Sequence, residues 1–318
     1  MALSDFAVFS EWAYSGFQEA LDYNIDLFNS ASAGAIVLRS KSHVGDFSDE
    51  AFWKRIEGLV RRRNVYGSAT LAEVNLEMIV DTMVKVAGGT PPVRMDPAWF
   101  EWIRRNPEEG GALYGRQLAV DMLADMLNTG IMAFVSASVA EAEVYLDRTA
   151  DQMTWATFND GQALFGDRSQ AIRVWVMHST PLFALWGNAL ANAESLFTFG
   201  TVNVKTDPFG RPIIITDAPS LINDDVPVTY YTLGLTPAAI VIDQTDDFTS
   251  NVDTDNGSEN IKRTVQSEWS FELGLKGYAW DKTNGGKSPN DAALAVSTNW
   301  DRIVTSHKDL GGIVIETQ

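Results

Sequence analysis

Several groups of residues have types and spacing that could do chemistry, and each fails on a definite requirement. Gly285-Gly286-Lys287-Ser288 has the ending of a phosphate-binding loop, where backbone N–H groups and a lysine would hold the phosphates. In G-x-x-x-x-G-K-[ST] the first glycine would fall on Asp281, and no hydrophobic strand runs into a helix at the lysine. The stretch reads instead as a turn from which Pro289 starts a helix. Asn251, Asp253, Asp255 and Gly257 are spaced like calcium ligands. That loop needs glycine sixth and a bidentate Glu twelfth, whereas here glycine is seventh and Lys262 twelfth. His178 beside Ser179 could pair a base with a nucleophile, but neighbours on a strand point to opposite faces and no G-x-S-x-G elbow occurs. His43 and His307 lie in polar stretches with no partner at metal-ligand spacing. Glu141, Glu143 and Asp147 read as a solvated face. No catalytic, cofactor-binding or metal-ligating residue is assigned, and no cofactor is expected.

What is left is electrostatic. The chain has 318 residues, a net charge of −18 and no cysteine. The absence of cysteine excludes thiolate catalysis and disulfides, and the net charge opposes general nucleic-acid binding, which clustered Lys and Arg must carry. The charge is uneven. Residues 1–38 contain Asp5, Glu11, Glu19, Asp22 and Asp26 and no Lys or Arg, a net −5. Residues 39–66 reverse the sign to +3, with Arg61, Arg62 and Arg63 the densest basic cluster against Asp46, Asp49, Glu50 and Glu57. Asp243, Asp246, Asp247, Asp253, Asp255 and Glu259 give −6 within 243–260. These are either solvated surfaces or complementary patches between copies of the chain.

The elements that must position these patches centre on Ala112–Ser136. Leu118, Met122, Met126 and the Leu123/Leu127/Ile131 row recur at helical spacing without proline, and Glu108 and Glu109 precede them where carboxylates suit the helix dipole. Arg116, Asp121 and Asp125 interrupt the apolar face, so a buried strut is expected, not a membrane span. The N-terminus, MALSDFAVFSEW, lacks the pattern of a secretory signal. Residues 1–32 predict an arm with a short helix near Gln18–Phe28, its exposed aromatics lying on something. Residues 33–78 predict a long excursion, with a strand at Ala35–Leu38 and an amphipathic turn carrying Phe52, Trp53, Ile56 and Leu59. Excursions of that size are uncommon and tend to be functional. A short helix is expected around Pro97–Arg105. Later come a helix at Thr154–Leu164 packing Trp155 and Phe158, a strand at Arg173–Met177, and a helix capped by Ser179 or Thr180 that buries Leu182, Leu185 and Trp186. Asp207-Pro208-Phe209-Gly210 closes a hairpin. Strands at Tyr230–Leu235 and Ala238–Ile242 follow, and 238–275 reads as an extended hairpin with an acidic tip. A helix near Asn290–Ser297 and a strand at Gly312–Glu316 end the chain. The pattern is mixed α+β.

Three stretches, RVWVMHSTPLFALWGNAL (173–190), FGTVNVKTDPFGRPIIITDAP (199–219) and YYTLGLTPAAIVI (230–242), resemble major capsid proteins of tailed double-stranded DNA bacteriophages. GYAW (277–280), KSPNDAALAVSTNWDRI (287–303) and KDLGGIVIET (308–317) resemble that family's ending, with Lys276 where proline is usual. The resemblance covers roughly 112–318 and implies the Hong Kong 97-like capsid fold. Its parts would be an N-terminal arm (1–32), an extended loop (33–78), a peripheral domain (79–137 and 237–276) with the spine helix 112–136, and an axial domain (138–236 and 277–318). It implies a non-enzymatic virion subunit that self-assembles, as hexamers and pentamers, into an icosahedral head around DNA. Scaffolding, portal and decoration proteins would be partners, and a separate scaffolding protein is expected because the chain begins almost at once with the arm. Assembly would occur in the host cytoplasm, without sequence-specific DNA binding and without a membrane. An encapsulin-like shell of the same fold is the alternative; an enzyme would need a concave site gathering the carboxylates set aside above. On this reading Arg61, Arg62 and Arg63 meet a neighbouring copy, through Asp243, Asp246, Asp247, Asp253 and Asp255 or through the acidic arm. A solvated helix end or an inner contact to DNA are the other uses of the arginines.

Overall fold

The computed structural model describes residues 3–41, 45–53, 60–68, 70–73, 75–95, 105–186, 197–199, 202–206, 210–224, 226–256, 259 and 262–318. Phe9, Ala13, Phe17, Leu21, Ile25 and Phe28 recur every three or four residues, and all are buried along one stripe of a continuous helix, α1 (Leu3–Ala31). The expected short helix at Gln18–Phe28 is thus part of a 29-residue one. Outward-facing acids and aromatics between the stripe residues disguised its period.

What α1 lies on is the strut of its own chain. That helix, α2 (Pro107–Val139), starts five residues before the expected Ala112, with Pro107 at its first position and Glu108 and Glu109 in its first turn. Its 33 residues make it roughly 50 Å long. A Cβ on Gly111 would fall 2.4 Å from the Phe9 carbonyl oxygen, and one on Gly115 2.1 Å from that of Ala13. Only glycine permits this approach, so Gly111-x-x-x-Gly115 sets the crossing. The helices run in the same direction, since Arg116 further along α2 donates to Glu19 further along α1 at 3.2 Å. By length and composition α2 could cross a membrane, yet Met122, Leu123, Met126, Ile131 and Phe134 are buried in the common core.

Beneath the helices lies the first sheet, with nine strands among the described residues. It contains β1 (Ile36–Ser40), β2 (Phe47–Trp53), β3 (Met78–Gly89), β4 (Val93–Arg94), β12 (Ile240–Gln244), β13 (Thr249–Asp255), β14 (Lys262–Leu275), β15 (Tyr278–Trp280) and β16 (Trp300–Arg302). The long β14 is its axis, paired to β12 and β13 on one side and to β3 and β4 on the other. Two-residue alternation puts Leu38, Ile242, Leu273 and Val84 in register on the core face. Gly130 of α2 seats on this face, where an added Cβ would lie 3.0 Å from Ile240 and 3.2 Å from Ile242. The opposite face aligns Arg39, Asp243, Glu272 and Lys85 across four strands.

The second sheet has eight strands among the described residues. They are β5 (Tyr145–Arg148), β6 (Val174–Met177), β7 (Phe197–Phe199), β8 (Val202–Thr206), β9 (Pro212–Thr216), β10 (Ile222–Asn223), β11 (Thr229–Leu235) and β17 (Gly312–Thr317). Helix α3 (Trp155–Ala163) covers it, with Phe158 on Trp175 at 3.9 Å between ring centroids. Trp155 packs edge-on against Phe158, as the expected helix requires, while its outer side stays exposed. Helix α4 (Ser179–Trp186) buries Leu182 and Leu185, and the Trp186 side chain lies outside the described residues. The chain passes between the sheets where the Thr236 N–H donates to the Gly311 carbonyl at 2.8 Å and Lys276 donates to the Pro237 carbonyl at 3.0 Å. Burial lowers the pKa of this lysine, which holds the junction through neutral acceptors, Pro237 and the Thr236 hydroxyl.

Other expectations shift in detail. Phe52 and Trp53 lie on strand β2 and make no helical turn, while Ile56 and Leu59 lie outside the described residues. So does most of Pro97–Arg105. Asp207-Pro208-Phe209 also lies outside them, but β8 and β9 pair antiparallel as the hairpin requires. The expected 238–275 hairpin is present: β12 and then β13 run antiparallel along β14, interrupted at 245–248, with Asp253 and Asp255 toward the tip. The helix near Asn290–Ser297 is the single turn α5 (Asp291–Leu294), whose cap is Asn290, accepting from the Ala293 N–H at 2.9 Å.

Candidate assembly interface

The excursion expected over 33–78 leaves on β2 and returns on β3, beyond residue 78, the two strands staying in register from Phe47 opposite Val84 to Trp53 opposite Met78. At its root Val84 is buried; beyond it, Ala51, Trp53, Met78 and Val80 form an exposed apolar face. Three ion pairs grip the neck: Lys287 to Asp46 at 2.9 Å, Lys282 to Asp49 at 2.6 Å and Lys41 to Glu50 at 3.5 Å. Lys287 of the phosphate-loop lookalike is therefore a tether for the hairpin. These lysines pair Asp46, Asp49 and Glu50 at the neck, and beyond Trp53 the densest charge is the basic run Arg61-Arg62-Arg63. Arg61, Arg62 and Arg63 are exposed and make no ion pair among the described residues. Val60 and Tyr66 beside them are 95% and 99% exposed, which no subunit core explains.

One neck pair is uncompensated. Glu50 stands opposite Asp81, and Asp81 Oδ1 is buried without a hydrogen-bond partner among the described residues. Burial, and then the Glu50 charge, push the Asp81 carboxyl up to about 6. Its folded value lies above the ~3.9 of a free aspartate, so the folded chain holds the proton more tightly. The penalty is full above about pH 6 and vanishes as the pH falls towards about 4, so stability declines with rising pH across that window. Asp81→Asn should raise the melting temperature at about pH 7.5 and flatten the slope of stability between about pH 4 and 6. Calorimetry across that range checks both; an unchanged slope contradicts the assignment.

The acidic candidates divide. Asp243 is buried and takes both arms of Arg39, at 2.7 and 3.0 Å. Asp247 accepts from the Ser270 N–H at 2.9 Å and pairs with Lys85 at 3.1 Å. Burial works against its charge, but bonds from Ser270, Lys85 and Thr245 outweigh it and hold its pKa below the usual range. Asp246 accepts from the Tyr14 hydroxyl at 2.9 Å, beside a stack of Phe17 on Phe248. All three are engaged within the subunit, Asp243 and Asp247 by cations of its own sheet and the exposed Asp246 by Tyr14. Their in-chain cations, Arg39 and Lys85, are remote in sequence, so charge counting alone could not pair them. Asp253 and Asp255 remain exposed on β13, spaced as strand neighbours and not wrapped as a calcium loop.

The remaining chemical candidates resolve into structural roles. His178 Nδ1 accepts from the Thr180 N–H at 3.1 Å, and Asp217 accepts from the Ser179 N–H at 3.2 Å. The cap of α4 is thus His178 with Asp217, not Ser179 or Thr180 as expected. Glu141 and Glu143 both take Arg302 Nη1 at 2.8 Å, a clamp between the end of α2 and β16 that was read as a solvated face. The His307 ring meets the Leu164 carbonyl at 3.2 Å. His43 and Gly257 lie outside the described residues. Among the described residues no group of three or more His, Asp or Glu is placed to hold a metal.

A model of the family described as Gp13-like, major capsid protein 13-like, matches residues 5–314. The chain belongs to this family. Its fold is that of phage head subunits. A chain of the cyanophage Pam1 capsid asymmetric unit aligns with a TM-score of 0.52 at 11% identity, covering 89% of this chain and 88% of that one. A chain of the head of Helicobacter pylori bacteriophage KHP40 aligns with a TM-score of 0.52 at 11% identity, covering 92% and 90%. No curated protein matches the sequence. The fold is therefore the Hong Kong 97-like α+β capsid fold, and this major capsid protein is a structural subunit of a tailed-phage virion shell. Family membership decides against the encapsulin-like alternative.

Proposed function

We propose that this major capsid protein closes an icosahedral head as hexamers and pentamers, with the β2–β3 excursion as the copy-to-copy contact. The observation that carries this is the hairpin itself, rooted by lysine ion pairs and extending an apolar face and an unpaired arginine cluster away from the core. The functional division follows the expected boundaries: arm 1–32, extended loop 33–78, peripheral domain 79–137 with 237–276, axial domain 138–236 with 277–318. The role is non-catalytic. Assembly takes place in the host cytoplasm around a scaffolding protein, with portal and possible decoration proteins added, and the shell holds DNA without reading its sequence, as the net charge of −18 favours.

Replacing residues 54–77 by a two-residue Asn-Gly turn, which suits a hairpin, tests this. Cutting back to Lys41 would remove β2, which pairs with β3, so the deletion must stay beyond Trp53. The expected product is a soluble subunit with a cooperative melt that forms no shells, read by circular dichroism and sedimentation. Shells of normal size from this variant contradict the proposal.

A further inference from the structure

Residues 1–38 contain no Lys or Arg, and α1 turns a continuous stripe of that acidic segment outward. Trp12, Glu19, Asp22, Tyr23 and Asp26 are exposed and fall on one side of the helix at spacings of three, four, seven and eleven residues. Asp22 and Asp26 make no ion pair among the described residues, and Glu19 meets only the exposed Arg116. Tyr23 is 69% exposed. Two aromatics and three carboxylates thus share one exposed face, which meets the rest of the subunit at Trp12 beside Gly111 and at Glu19 with Arg116.

We infer that this face of α1 is the seat for the arginine tip of a second copy. The inference rests on the reading of the excursion as an assembly element and names its receptor. The tip has the complementary order: Val60, then Arg61, Arg62 and Arg63, then Val65 and Tyr66, all exposed. The lengths agree, since Trp12 to Tyr23 spans ~16 Å along a helix and Val60 to Tyr66 at most ~20 Å of chain. Arginine suits both halves of such a seat, pairing with carboxylates and stacking on aromatic faces. The competing acids are poorer receptors. Asp255 stands opposite Lys262, and Asp253 shares a row across β14 with Thr264 and then Arg94, so basic residues already lie on the face of both acids. Because tip and seat are different surfaces, the contact is head-to-tail and propagates around a ring of copies.

The chain contains no cysteine, so engineered pairs report without background. Shells of the full chain carrying Asp22→Cys with Arg62→Cys are oxidised and run on non-reducing gels, beside shells carrying Asp253→Cys with Arg62→Cys. The expected result is a ladder of disulfide-linked multimers from the first pair and monomer from the second. A ladder from the second pair alone, or from neither, overturns the assignment of the seat while leaving the excursion an assembly element. Should a cysteine variant not assemble, charge exchange decides. Asp22→Lys with Asp26→Lys should restore shells to a chain carrying Arg61→Glu, Arg62→Glu and Arg63→Glu, and failure to restore them where Asp253→Lys with Asp255→Lys succeeds overturns it. If the unaltered chain forms no shells under the same conditions, the underlying reading of the protein falls instead.

Discussion

Met126→Asp should leave little folded subunit. Met126 is 1% exposed, on the face of α2 that joins Met122, Leu123 and Phe134 in the common core. A carboxylate there finds no cation, so it must be buried charged or take a proton, and either course costs several kcal/mol. Proteins of ordinary stability hold about 5–15 kcal/mol in total, so the loss should appear as aggregation before any assembly step. Val120→Asp is the control on the same helix, because Val120 is 43% exposed. It should melt close to the parent. Soluble yield and thermal melts of the two variants check the register of α2; a Met126→Asp protein with parental melting contradicts it.

Reversal of the arginine cluster should have the opposite signature. Arg61, Arg62 and Arg63 are exposed and contribute no ion pair among the described residues, so changing all three to Glu should shift the subunit's melting temperature by less than about 2 °C. Assembly should nevertheless fail. Each copy carries −18, and repulsion between copies, screened beyond roughly 8–10 Å, must be overcome by local contacts of opposite sign. The substitution changes the local charge by six units and turns the one strongly basic tip acidic. Light scattering during assembly reads the loss. Shells that form normally but retain DNA poorly would place the cluster on the genome side and remove it from the contact between copies.

The long elements were legible where their hydrophobic period was clean. Leu118, Met122, Met126 and Ile131 announce α2, and the Val/Ile runs announce β6, β9, β12 and β17. Helix α1 was not, because Trp12, Tyr14 and Tyr23 add aromatics off the buried stripe and blur its edge. Its signal lay in a second place, the small residues Gly111, Gly115, Ala13 and Gly16, which only make sense as a close crossing of two helices. The basic tip was legible as a charge reversal. Its counterparts were not, since Asp243 is claimed by Arg39 and Asp247 by Lys85, partners more than 160 residues away that only the sheet brings together. The same holds for Lys287 and Asp46, which join the C-terminal loop to the neck of the hairpin. Local pattern fixes which residues are buried; strand pairing fixes which charges are spent.

Electron microscopy of the purified, full-length protein tests the central claim most directly. Closed icosahedral shells are expected, with the 54–77 segment of each subunit resting on a neighbouring copy. A population of monomers or small rings under all assembly conditions, or shells in which that segment folds back on its own subunit, would contradict it.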